Sequence, residues 1–201
     1  MKKITFIITA VLILSQLASY SQEDGEMRTL FSKDTSQGPN VYGGYGAPFV
    51  GATTLMDEPA TIVGGKGGVI RNHSFVFGLV GGATIQNQSM DYIRYNVPAS
   101  KKVWLGYGGV FFEYIVSYSS PIHFAIPLNL QVGGVSAGRD GDNLSVKSSS
   151  LMVIEPGISL EFNFSKYFVP ALNVGYRYVT GSYTSNLSAI YATAIFKFGQ
   201  F

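Results

Sequence analysis

Ile122-His123-Phe124-Ala125-Ile126-Pro127-Leu128-Asn129-Leu130-Gln131-Val132-Gly133 decides how this chain is read. Ile122, Phe124, Ile126, Leu128, Leu130 and Val132 fall on one face, and His123, Ala125, Pro127, Asn129, Gln131 and Gly133 on the other. A period of two is the signature of a strand with unlike sides. The pattern repeats downstream. Met152, Ile154, Pro156, Ile158, Leu160, Phe162 and Phe164 oppose Glu155, Gly157, Ser159, Glu161 and Asn163. Phe168, Pro170, Leu172, Val174, Tyr176 and Tyr178 oppose Asn173, Gly175 and Arg177, and Ile190, Ala192, Ala194, Phe196 and Phe198 oppose Tyr191, Thr193 and Lys197.

Working outward, turn signals divide the chain into eight strands, at about 40–54, 60–71, 74–85, 103–118, 121–136, 149–164, 167–181 and 186–199. The expected fold is all-β, a closed eight-stranded antiparallel up-and-down barrel over residues 40–201. The weak point is Val41 to Leu55, whose glycines permit either phase. A soluble carrier with its apolar face inward has the same period, so solvent is decided by size. Eight strands enclose a bore only just wide enough for side chains, which Phe, Ile, Leu and Tyr at nearly every position would overfill. Gly, Ala, Ser and Asn with a few charges suit that bore, so the apolar face points to lipid. Trp104, Tyr118, Phe124, Phe164, Phe168 and Tyr178 lie near strand ends, where interfacial aromatic girdles are expected.

Composition agrees. Of 201 residues only 13 % are charged while 46 % are hydrophobic and 14 % aromatic, which excludes a disordered chain. Met1-Lys2-Lys3, the apolar run Ile4 to Leu14 and small residues through Ser21 form a secretory signal peptide over 1–21, cleaved before Gln22. Removing Lys2 and Lys3 from the 14 basic residues leaves 12 against 12 acidic ones, so charge gives no reason to expect nucleic acid. The absence of cysteine excludes a lipid-modified N-terminal cysteine, disulfides and thiolate metal sites. Residues 22–39 are polar and aperiodic, as expected of a periplasmic tail, either disordered or a short plug.

The connections near Arg71 to His73, Ser119 to Ser120 and Ser165 to Lys166 are short, and Ile85 to Lys102 and Ala137 to Ser148 are long. In membrane barrels short turns face the periplasm and long loops face out. The connections are therefore expected to alternate short and long, with both termini in the periplasm. The chain resembles small bacterial outer-membrane barrel proteins through the signal peptide, the eight-strand meander, the short turns and the aromatic end Phe196-Lys197-Phe198-Gly199-Gln200-Phe201. The resemblance implies an outer-membrane location, and outer-membrane lipids and the secretion and barrel-assembly machinery as partners. It also implies a terminal aromatic read during assembly. Phe201 has that identity but is out of phase with Phe196 and Phe198, which leaves Phe198 or Phe201 as the recognised residue.

The inward face carries Lys66, Glu113, Glu155, Glu161, Arg177 and Lys197, three charges of each sign, with His123, Asn129, Gln131, Asn163 and Asn173. Counting from the Ser165-Lys166 turn puts Glu155 and Arg177 at neighbouring levels on adjacent strands. Glu161, His123 and Lys197 fall near one level toward the periplasm. Charges in so narrow a bore must pair, because an isolated one costs several kcal/mol. A lumen plug is therefore expected, in preference to proton or ion conduction.

No enzyme is expected. A hydrolase of outer-leaflet lipid needs a base beside its nucleophile, and His73 and His123 both fall near the periplasmic end. Arg139-Asp140-Gly141-Asp142-Asn143 lacks the ligand spacing of a calcium loop and reads as a turn. Gly64-Gly65-Lys66-Gly67-Gly68 lacks the pattern of a phosphate loop, and its glycines instead leave room for a large neighbour in the lumen. Neither a metal nor a cofactor is expected. The working surface expected is the long outer loops, above all Gln86 to Lys101 with Met90, Tyr92, Arg94 and Tyr95, toward a ligand the sequence does not identify. Lateral passage of small hydrophobic molecules is the alternative, and its sign would be a gap in the glycine-rich first three strands.

Overall fold

The computed structural model describes residues 42–55, 57–86, 90–91, 100–139, 149–180 and 187–201. The leader, the 22–39 tail, most of the Gln86 to Lys101 segment with Tyr92, Arg94 and Tyr95, and Asp140 to Asn143 lie outside them. The barrel strands are β1 (Tyr42–Leu55), β2 (Glu58–Arg71), β3 (Phe75–Gln86), β4 (Ser100–Val116), β5 (Ile122–Arg139), β6 (Ser149–Phe162), β7 (Phe168–Thr180) and β8 (Ala189–Gln200). Met90–Asp91 adds a two-residue rung beside Lys101 and Ser100. Each strand pairs antiparallel with the next, and β1 pairs with β8, so the sheet closes and has no edge.

Pairing with β2 settles the phase of β1. Tyr45, Ala47, Thr53 and Leu55 point inward. A slip of one residue would put Tyr42, Val50 and their neighbours inside instead. The inward glycines act as sockets. A Cβ on Gly68 or Gly78 would strike the Phe111 ring, and one on Gly64 or Gly82 the Phe49 ring. Two phenylalanines thus fit a bore that four larger side chains would overfill. Tyr191 has the same relation to Gly157 and Gly175.

Outside, the wall is apolar: Leu79, Val132 and Ile190 are 69 %, 71 % and 69 % exposed. A face this large and greasy needs a hydrocarbon solvent. Inside, apolar layers close both ends. One contains Tyr45, Ile70, Val76, Phe111, Ile115 and Phe201, and the other Leu55, Leu105, Tyr107, Leu151, Val153 and Leu187.

The three connections expected to be short, β2 to β3, β4 to β5 and β6 to β7, share one end. Asn72 and His73 both have positive φ, 51° and 56°, between Arg71 and Ser74. That is the backbone of a two-residue hairpin turn whose twist matches the strands it joins. At the other end the expected alternation fails once. Leu55 pairs directly with Glu58, so only residues 56–57 join β1 to β2, with Asp57 at φ 66°. An aspartate tolerates that left-handed conformation, which allows a tight turn where a long loop was expected.

Candidate functional site

The lumen holds two separate groups of polar side chains, each built by inward positions of several strands. The central group is organised by Arg177 on β7, which is 1 % exposed. Its Nε donates to Glu155 Oε1 at 2.7 Å, Nη1 to Thr84 Oγ1 at 2.7 Å and Nη2 to the Tyr107 hydroxyl at 2.6 Å. Glu155 Oε2 accepts from Asn129 Nδ2 at 3.1 Å and Gln131 Nε2 at 2.8 Å. The guanidinium also lies 4.7 Å from the Tyr107 ring centre. Side chains from the consecutive strands β3 to β7 therefore meet on one ion pair.

The second group lies nearer the short-turn end and is a chain. Lys66 Nζ donates to Glu113 Oε2 at 2.6 Å, and Lys197 Nζ to Glu113 Oε1 at 2.6 Å. Lys197, fully buried, also bonds Glu161, whose other oxygen faces His123 Nε2 at 3.3 Å. The Tyr45 hydroxyl donates to Glu113 at 3.2 Å, and His123 Nδ1 is 3.3 Å from the Ser120 carbonyl. Five strands, β1, β2, β4, β6 and β8, contribute to Glu113 and its partners, and β5 adds His123. Lys66 and Lys197 balance Glu113 and Glu161, and Arg177 balances Glu155, as burial requires.

Asn173 lies between the groups, its Nδ2 3.5 Å from the Tyr191 hydroxyl. Asn163 ties the turns together, donating to the Tyr118 and Ser120 carbonyls at 3.1 and 2.9 Å. A cavity of about 30 Å³ sits between the two groups, bordered by Lys66, Asn129, Asn173 and Arg177. Another of about 20 Å³ lies at the short-turn end beside His73, His123 and Glu161. Each has room for about one water molecule. His73 stacks on Tyr118 at 4.8 Å, and partial burial holds its pKa below the usual histidine value.

Three side chains were missed by reading charges alone: Tyr45, Tyr107 and Thr84. Tyr45 lies on β1, whose phase the glycines leave open, and tyrosine occurs on both faces of this wall and so gives no signal by type. Trp104, Phe124, Phe164 and Tyr178 are exposed on the outer face, and Phe168 is half-buried against Phe198 at 4.9 Å. Tyr118 corrects the girdle expectation. It packs inward against the core because β4 has ended at Val116 and Ser117, with φ 56°, redirects the chain. At the C-terminus, Phe196 and Phe198 face outward, while Phe201 is buried and stacks on Tyr45 at 5.7 Å.

The pairings among the first three strands show no gap. β1 and β2 pair without a break from Tyr42↔Arg71 to Leu55↔Glu58, and β2 and β3 from Ala60↔Gln86 to Arg71↔Phe75. Ladder interruptions fall where proline has no N–H to donate: around Pro48, where β1 meets β8, and around Pro127 and Pro156 on β5 and β6. Among the described residues no group of three or more histidines or carboxylates is placed to hold a metal ion.

A closed eight-stranded barrel with a lipid-like exterior and a polar, filled interior is the architecture of small bacterial outer-membrane barrel proteins. In solved structures it is similar to Neisserial surface protein A, with 13 % identity and a TM-score of 0.54 over 80 % of this chain and 97 % of that one. It is also similar to a major outer membrane protein from Thermus thermophilus, with 12 % identity and a TM-score of 0.51 over 77 % and 99 %. The sequence matches no protein-family model and none of the curated proteins compared.

Proposed function

We propose that the protein is a non-catalytic barrel of the bacterial outer membrane, a rigid scaffold that works through its outer connections and not through its lumen. The observation that carries this reading is the filled bore. Two charge-paired groups and two apolar layers cross it, and the cavities between them are of single-water size. A solute would have to break buried ion pairs, at a cost of several kcal/mol each, to enter. The work is then left to the long outer connections, Gln86 to Lys101 above all and Ala137 to Ser148, on a frame that does not yield. The lumen groups serve as the lock that fixes strand order and register. Phe198, facing lipid, is the aromatic proposed to be read during assembly, with Phe201 acting as a lumen stopper.

Planar-bilayer recording tests the scaffold reading directly. The inserted protein is expected to give no stepwise conductance, and regular steps would overturn the closed lumen. Removing residues 87–99 should abolish surface binding by whole cells that display the protein while leaving insertion intact. Binding that survives the deletion places the working surface elsewhere.

A further inference from the structure

The outer wall is uniform except at one place. Among the strand residues whose outward side chains are described, Arg71 is the only charged one. It ends β2 at the short-turn border, in one cross-strand row with Tyr42, Phe75 and Tyr114. Every ion pair found lies in the lumen, so Arg71 has no carboxylate partner among the described residues. Directly beside it a groove of about 690 Å³ runs along the wall. It is lined by the ring pairs Phe75–Tyr114 and Phe77–Phe112, with centroids 5.0 and 5.2 Å apart, and by Val69 and Leu128 on either side of the second pair. Toward β1 the wall is bare. Gly44, Gly46 and Gly67 present no side chain, and a Cβ on Gly46 would meet nothing.

We propose that this groove holds one glycerophospholipid of the periplasmic leaflet, with an acyl chain along the apolar channel and its phosphate on Arg71. The proposal rests on the membrane-barrel reading above. The groove's volume lies in the range of about 300–1,000 Å³ found for ligand sites. A guanidinium matches a phosphate with two parallel hydrogen bonds, which a lysine ammonium does not. The Tyr42 and Tyr114 rings share its row, at the depth where phenols sit with one end in hydrocarbon and one in the headgroups. The site is at the periplasmic border because three of the four short turns and both described ends of the barrel are there.

Native mass spectrometry of the full mature barrel tests this, using dioleoylphosphatidylglycerol and, as a phosphate-free comparison, dioleoylglycerol. With detergent sufficient to strip the annular shell, one phosphatidylglycerol per barrel is expected to remain and no dioleoylglycerol. Arg71→Ala should lower retention at least tenfold, and Arg71→Lys should restore part of it. Val69→Trp, which fills the channel without touching the charge, should also release the lipid, whereas Lys166→Ala at another turn should not. Equal retention of both lipids, or unchanged retention in Arg71→Ala, would mean a non-specific shell and overturn the site. Vesicle insertion followed by the gel shift between unheated and boiled protein is measured in parallel. Failure to insert removes the membrane reading itself, whereas an inserted barrel that keeps no phospholipid removes only the site.

Discussion

The two polar groups in the lumen solve the same problem in different ways. The central one has a single cation and a single anion. Every hydrogen bond that Arg177 makes is to a different side chain, and Glu155 has only two neutral amides, those of Asn129 and Gln131, besides that cation. The group near the short turns shares its charges. Glu113 is held by two lysines and a tyrosine, and Lys197 serves two carboxylates. One arrangement has a keystone at each pole, and the other has a keystone at Lys197 but a spare at Lys66. Redundancy, not the number of charges, is what separates them.

The largest expected loss is therefore Lys197→Met, which leaves Glu113 short of one cation and Glu161 facing only His123. Breaking such a pair costs about 3–5 kcal/mol, and urea unfolding in vesicles should show a loss near the top of that range. Arg177→Ala should follow at about 3–4 kcal/mol, because Glu155 keeps only its amide donors. Unchanged unfolding in that variant would sink the keystone assignment. Lys66→Met should cost about 2 kcal/mol, since Lys197 and Tyr45 still serve Glu113. The comparison is sharpened by two double-mutant cycles. Lys66 with Lys197 should couple by about 1 kcal/mol or more through their shared carboxylate, and Arg177 with Lys197 by no more than about 0.5 kcal/mol. Equal coupling in both cycles would show that the groups act as one network.

The smallest effect concerns His73 at the short-turn end. Burial holds its folded pKa below the unfolded value of about 6.5, so the unfolded chain binds more protons in that interval. Stability should fall as pH drops through about 6.5, levelling off below the folded pKa. His73→Phe keeps the stack on Tyr118 and should remove this part of the acid sensitivity. A pH profile identical to that of the parent would show that His73 titrates alike in both states.

Period-two alternation alone yields the second half of the barrel, because every strand from β5 to β8 has unlike faces and a one-residue slip would bury the wrong set. The lipid-facing sense of those faces follows from bore size, and the short turns follow from their composition. Levels counted from Ser165-Lys166 put Glu155 beside Arg177, and the side chains lie 2.7 Å apart. Glu161, His123 and Lys197, counted to one level, share a single chain of contacts. Distance along the strand was enough there because the partners sit on neighbouring or next-neighbouring strands.

Elsewhere local pattern was insufficient. The glycine-rich β1 has no unlike faces to read, so its phase depends on closure against β2 and β8. Glu113 meets Lys66 and Lys197 across the bore, from strands that never pair, and no count along one hairpin brings them together. Tyr118 turns inward only because the strand before it has ended. The sequence by itself determined which residues of β5 to β8 belong to lipid and which to the lumen, since that depends on alternation within each strand. Tertiary structure alone decided which lumen residues meet, because closing the sheet sets the stagger between strands and so the depth at which each charge arrives.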